Sequence, residues 1–228
     1  GNTIVNAMNK AMNLEQARYN MIEQQIRTWD VLDDRVLHAL SAMPRENFVP
    51  EEHRELAFTD ISIPLNHYQV MMPPKLEGKL LQALAIQPDD RILEIGTGSG
   101  YLTACLAGLG RDVTSVELYE DFVEQARIKL DQHDVRNVTL KNGDAGKGWE
   151  QDSGFDAIAV TGSLPLLHQG YHQLLNPGGR LFVIAGQPPV MQALLITRVG
   201  EQEWNQESMF ETMLPPLVNA PEPEVFRF

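Results

Sequence analysis

The residues from Arg91 to Tyr101, Arg-Ile-Leu-Glu-Ile-Gly-Thr-Gly-Ser-Gly-Tyr, constrain this chain more than any others. An apolar run ends there in glycines at alternate positions, Gly96, Gly98 and Gly100. Such a run suits a strand buried on both faces of a parallel sheet, and Tyr101 to Leu109 then takes up the apolar spacing of a helix. Glycine at the join allows positive φ and lets a ligand lie against the backbone with no Cβ in the way. The N–H groups that open the helix would point at that ligand.

The next segments keep this rhythm. Asp112 to Leu118 reads as a second strand whose Glu117 sits where an acid accepts hydrogen bonds from both ribose hydroxyls of a nucleoside-like ligand. Asn137 to Lys141 reads as a third strand, closed by Asn142-Gly143-Asp144, which brings a second carboxylate to where an adenine amino group would lie. Strands alternating with helices predict an α/β fold with a doubly wound, mostly parallel sheet. Thr161, after the fourth strand at Asp156 to Val160, is expected to line the site, and Ser163 to serve a turn. Beyond Gly186, residues 193–199 and 209–213 read as a closing strand pair.

Ahead of the sheet, Ile4, Met8, Met12, Leu14, Ala17, Met21, Ile22 and Ile26 fall near helical spacing and predict one or two helices packed on the body or on a copy of themselves. Asp33 or Asp34 can cap a short helix at 35–42, which the stretch from Pro44 to Pro50 ends. The Pro/Glu composition after Pro221 suits disorder, while Phe226 and Phe228 would allow a docked tail.

At 228 residues the chain holds one sizeable core with additions. A net charge of −13 disfavours nucleic acid as a partner, since phosphate contacts need clustered Lys and Arg. The single Cys105 leaves no disulfide framework or cysteine-based zinc site and suits a reducing compartment. No apolar run approaches the roughly 20 residues of a membrane span, so no membrane partner is expected and the cytoplasm is the expected location.

Two resemblances sharpen the reading. The pattern Glu94-x-Gly96-x-Gly98-x-Gly100 resembles the first motif of S-adenosylmethionine-dependent methyltransferases, whereas a dinucleotide fingerprint would need its third glycine at Tyr101. Residues 32–50, Ala57 to Asp60, Ile63-Pro64, Asp156 to Thr161 and Leu214-Pro-Pro-Leu-Val218 then resemble the protein-L-isoaspartate O-methyltransferases. The resemblance implies a Rossmann-like methyltransferase fold with an N-terminal helical extension. It divides the chain into helices and acceptor loop at 1–75, core at 76–220 and tail at 221–228. It implies S-adenosyl-L-methionine held by Gly96, Thr97, Gly98, Ser99, Gly100, Glu117, Leu118, Asp144, Ala145 and Thr161, and acceptor positions at Asp60, Gln69 and Met72. The implied reaction is methyl esterification of isoaspartyl carboxylates in damaged proteins or peptides, with no metal.

The chain departs from that family where it carries Gly-Gln-Thr-Ile-Ser-x-Pro. Here the residues are Tyr68-Gln-Val-Met-Met-Pro-Pro74, so Val70 replaces threonine and Met72 replaces a serine that the family places beside the acceptor carboxylate. A related methyltransferase with another acceptor, and a cofactor-binding protein without isoaspartyl activity, therefore stay open as alternatives. A hydroxyl acceptor would need a general base, for which His67 is the candidate.

Overall fold

A computed structural model describes residues 1–225, so the expected docking of Phe226 and Phe228 lies outside the described residues. The chain opens with α1 (Asn2–Met21), which runs on through a π-turn at Ile22–Ile26 and a 3-10 turn at Arg27–Trp29. The apolar spacing does not seat the whole helix: Ile4, Val5, Met8 and Met12 are exposed, and burial begins at Arg18 and Met21. Arg18 is fastened there by both oxygens of Glu46, at 2.8 and 2.9 Å. Next comes α2 (Asp34–Ala42), capped by Asp33, whose Oδ1 accepts the N–H groups of Arg35 and Val36 at 2.9 and 3.2 Å. Two short strands, β1 (Ile63–Pro64) and β2 (Val70–Met71), pair antiparallel as a hairpin. Pro74 then opens α3 (Pro74–Leu84) at a position where its missing N–H costs nothing.

From there strands and helices alternate as expected through β3 (Arg91–Ile95), α4 (Tyr101–Leu109), β4 (Asp112–Glu117), α5 (Glu120–Gln132) and β5 (Val138–Asn142), after which β6 (Phe155–Leu164) follows with no helix between. The chain closes with β7 (Leu175–Gln187), β8 (Val190–Gly200) and β9 (Glu203–Thr212). The strands lie in the order β5-β4-β3-β6-β7-β8-β9, parallel from β5 to β7 and antiparallel in β8 and β9. The order reverses between β3 and β6, so the ligand crevice of an open sheet falls beyond Ile95 and Val160.

The two faces are closed differently. Ile92, Val113, Ala157 and Phe182 pack under residues of α2, α3, α4 and α5 such as Leu40, Leu80, Leu106 and Leu130. Their neighbours Leu93, Val116, Ile158 and Leu181 face Trp149, Tyr171 and Leu174 instead, on connections that hold no α-helix. Residues of the N-terminal segment, from Met21 to Met72, belong to the same buried cluster as α4 and the sheet.

Strand β6 is longer than the sequence suggests. Thr161 and Ser163 lie inside it, and the register with β7 shifts between Ala159 and Ser163. Ser163 is therefore not turn chemistry: its N–H donates to the Pro215 carbonyl at 2.9 Å and its carbonyl accepts from Leu217 at 2.8 Å. This draws the segment 214–218 along the end of the sheet.

Candidate active site

All three glycines after β3 have positive φ, +94° at Gly96, +53° at Gly98 and +85° at Gly100. Their reasons differ. A Cβ on Gly96 would run into Thr161 Oγ1, which itself donates to the carbonyls of Ile95 and Gly96, both at 2.8 Å. At Gly98 a Cβ would make only an ordinary contact with Leu65 at 3.6 Å, so glycine is needed there for its backbone. At Gly100 a Cβ would press on Ala126 at 3.3 Å, so this glycine lets α4 approach α5 and does not line the crevice.

Between its walls the crevice holds about 660 Å³ of space, open solvent at its mouth included. Gly96, Gly98, Glu117, Leu118, Ala145 and Thr161 line it, as the sequence leads one to expect. Glu117 is its principal charged group. Oε1 accepts the Gly98 N–H at 2.8 Å and Oε2 the Tyr119 N–H at 3.0 Å, which leaves one lone pair on each oxygen for a vicinal diol. Burial pushes the Glu117 carboxyl up from its ordinary pKa, and those N–H groups pull it back.

Other expected positions are displaced. Asp144 is exposed and does not line the crevice; Oδ1 accepts the Gly146 N–H at 3.0 Å and Oδ2 the Asn219 amide at 2.7 Å, so it fastens the 214–219 segment. Thr97 is buried with its hydroxyl 2.6 Å from that of Ser115, and Ser99 Oγ accepts the Tyr101 N–H at 3.3 Å at the start of α4. Both Thr97 and Ser99 instead line a small neighbouring recess behind the glycine turn, which they share with Met72, Glu77, Glu94 and Thr161. Met72 is buried there and offers a thioether where a hydroxyl was expected. Asp60 is exposed and 3.4 Å from Lys75 Nζ, outside both spaces. Gln69 lines the crevice, its amide donating to the His67 carbonyl at 2.9 Å. His67 Nε2 lies 2.9 and 3.0 Å from the two oxygens of Asp121, so that nitrogen is engaged and is not free to serve an acceptor as base.

Three walls enclose the crevice, and in them Leu65, Tyr119, Phe122 and residues 214–218 were not among the expected site positions. Leu65, Gln69 and Val70 form one wall from the β1–β2 hairpin, Tyr119 and Phe122 another, and Leu214 to Val218 a third. The third wall runs so close to Gly146 that a Cβ there would meet the Val218 carbonyl at 2.7 Å.

Behind the turn, Glu94 is wholly buried. Its Oε1 accepts from Ser115 at 2.6 Å and from Thr103, while Oε2 has no partner among the described residues. Burial pushes its pKa up to about 8, so the side chain is mostly protonated at neutral pH.

A bare backbone ridge, a diol-ready carboxylate and apolar walls fit an adenosyl group. No phosphate cradle of clustered cations is among the lining residues.

Comparison with known proteins identifies the family. The family model for protein-L-isoaspartate(D-aspartate) O-methyltransferase matches residues 16–222. A protein-L-isoaspartate O-methyltransferase of Brucella anthropi is 33% identical over 207 residues, 90% of this chain and 95% of that protein. Another, from Marinobacter nauticus, is 36% identical over 213 residues, 92% of this chain and 97% of that protein. Among solved structures, one from Plasmodium falciparum, described as a protein-L-isoaspartate O-methyltransferase in complex with S-adenosyl-L-homocysteine, superposes with a TM-score of 0.76 at 19% identity. It covers 90% of this chain and 97% of its own. The chain belongs to the protein-L-isoaspartate(D-aspartate) O-methyltransferase family.

Proposed function

We propose that this protein transfers the methyl group of S-adenosyl-L-methionine to the carboxylate of isoaspartyl residues in damaged proteins or peptides. The observation that carries the reading is Glu117, held by the Gly98 and Tyr119 N–H groups at the edge of a crevice floored by bare glycine backbone. In this reading Glu117 accepts from both ribose hydroxyls, Gly96 and Gly98 admit the sulfonium side, and Leu118 and Ala145 border the adenine. Asp144, Thr97, Ser99 and Gly100 support those residues from behind.

The cofactor supplies an activated methyl group on a positively charged sulfur. The protein's share is alignment, because a carboxylate is already ionised at neutral pH and needs no base. Alignment of this kind is worth up to about 7–11 kcal/mol. Gln69, Val70 and Thr161 border the space left for the acceptor, with Met72 packed behind them. The acidic surface implied by a net charge of −13 favours a polypeptide acceptor over nucleic acid. A single, buried cysteine is in keeping with work in the cytoplasm.

The test is methyl transfer from labelled cofactor to an isoaspartyl peptide and, separately, to its aspartyl isomer. Labelling of the first only is expected. Equal labelling of both, or none in a protein that binds S-adenosylhomocysteine, would overturn the acceptor assignment.

A further inference from the structure

The β1–β2 hairpin turns through Asn66 to Gln69, with His67 and Tyr68 both in the left-handed region at φ +59° and +58°. The Gln69 N–H donates to the Asn66 carbonyl at 3.1 Å, and the Leu65 N–H to the Gln69 carbonyl at 2.9 Å. This is a two-residue turn of the mirror-image type, which ordinarily calls for Asn or Gly at its centre. A tyrosine in this region is strained, and the surroundings must hold it. The Tyr68 side chain provides no hold, because it is fully exposed.

His67 provides it. Its Nε2 reaches both carboxylate oxygens of Asp121, and its ring lies flat on Tyr119 with centroids 3.9 Å apart and planes 2° from parallel. The edge of the imidazole also meets Phe122 at 5.3 Å. Asp121 sits in the first turn of α5, so the anchor is a rigid element. Tyr119 and Phe122 wall the crevice, and so do Leu65, Gln69 and Val70 from the hairpin. One side chain thus fastens two walls of the site to each other.

We propose that His67 is a positioning residue: paired with Asp121 and stacked on Tyr119, it clasps the β1–β2 hairpin over the crevice and sets how fast the cofactor and its demethylated product leave. The cofactor half of this rests on the crevice being the S-adenosylmethionine site; the fastening of the hairpin does not. With a neutral imidazole protonated at Nε2 the contact is a hydrogen bond, and with an imidazolium it is an ion pair.

The test uses His67→Asn, which tolerates the left-handed backbone but is too short to reach Asp121 or to stack, and Asp121→Ala, which leaves the turn sequence intact. Hydrogen exchange of residues 63–71 in the ligand-free protein should speed up several-fold in each variant. Stopped-flow release of S-adenosylhomocysteine should speed up about tenfold in each. The double variant should release it no faster than either single one, because both remove the same contact. Unchanged exchange in both single variants, or effects that multiply in the double one, would overturn the clasp. A native protein that binds no S-adenosylhomocysteine would overturn the reading of the crevice, and the cofactor half of the proposal with it. The exchange result decides the fastening on its own.

Discussion

Arg45 and Glu77 pair inside the protein, the first wholly buried and the second nearly so. The guanidinium does more than meet one carboxylate. Its Nε donates to the Ala57 carbonyl at 2.7 Å and its Nη2 to the Met72 carbonyl at 2.9 Å, so three separate segments of the N-terminal half converge on one side chain. The planar fork also lies over the Tyr101 ring at 4.9 Å, which ties it to the start of α4.

Removing the cation should therefore be far more costly than the loss of a surface pair. Arg45→Ala would leave two buried carbonyls and a carboxyl without their donor, a loss of about 3–5 kcal/mol. Arg45→Lys should recover only part of it, since an ammonium cannot reproduce the fork. Urea unfolding of the three proteins measures this, and a loss below about 1 kcal/mol in the alanine variant would refute the central role.

Glu94 should make stability fall as pH rises. Its folded-state pKa, about 8, lies above the value near 4.5 of an exposed carboxyl, so between those values the folded protein holds a proton that the unfolded chain has released. The contribution is complete below the lower value and is lost as pH climbs through the upper one, with a limiting slope of about 1.4 kcal/mol per pH unit. Glu94→Gln keeps the shape and removes the titration. Urea unfolding at several pH values between the two should show a steeper decline in the native protein than in the variant; parallel profiles would exclude this origin.

How much of this was open to reading in the sequence depends on what kind of constraint each residue obeys. Gly96 and Glu117 were legible as crevice-lining residues because the crevice of an open sheet lies where its strands end, and the strands themselves announce that place. Thr97, Ser99 and Gly100 stand in the same short motif yet serve the turn and the helix behind it, because alternate residues of so tight a turn cannot all face one side. Asp144 stands apart from the crevice walls for a related reason: position along the chain gives the strand end, but not that Asn219 would return to hold its carboxylate. The segment 214–218 enters through backbone pairing with Ser163, a contact between distant parts of the chain that no local pattern encodes. The exposed half of α1 shows the opposite failure, a helical apolar stripe with no described residues packed over it.

Glu117→Ala should weaken S-adenosylhomocysteine more than it weakens the fold. Hydrogen bonds to a charged acceptor contribute about 1.5–3 kcal/mol each, so losing the acceptor of both ribose hydroxyls should raise Kd by roughly two to four orders of magnitude. The Gly98 and Tyr119 N–H groups would also lose the acceptor that orders the turn. Calorimetric titration of native and variant protein decides it, and affinities within threefold of each other would remove Glu117 from the ribose.

Met72 and Val70 set the last expectation. Met72 is buried and lines the same recess as Glu94, Thr97 and Thr161, and Arg45 already fixes its carbonyl, so its side chain can be exchanged while the backbone stays in place. Restoring the family's hydroxyls with Val70→Thr and Met72→Ser returns the groups that would orient an acceptor carboxylate. One such hydrogen bond contributes about 1–3 kcal/mol, or roughly a tenfold to hundredfold change in rate. The same change removes a packed thioether and should cost about 2–5 kcal/mol of stability. The double variant is thus expected to turn over isoaspartyl peptide at least tenfold faster, with a higher kcat/KM and a lower Tm. If turnover is unchanged or slower in a variant that still binds S-adenosylhomocysteine normally, the native apolar wall is itself the acceptor surface, and the carboxylate is oriented by the backbone around it.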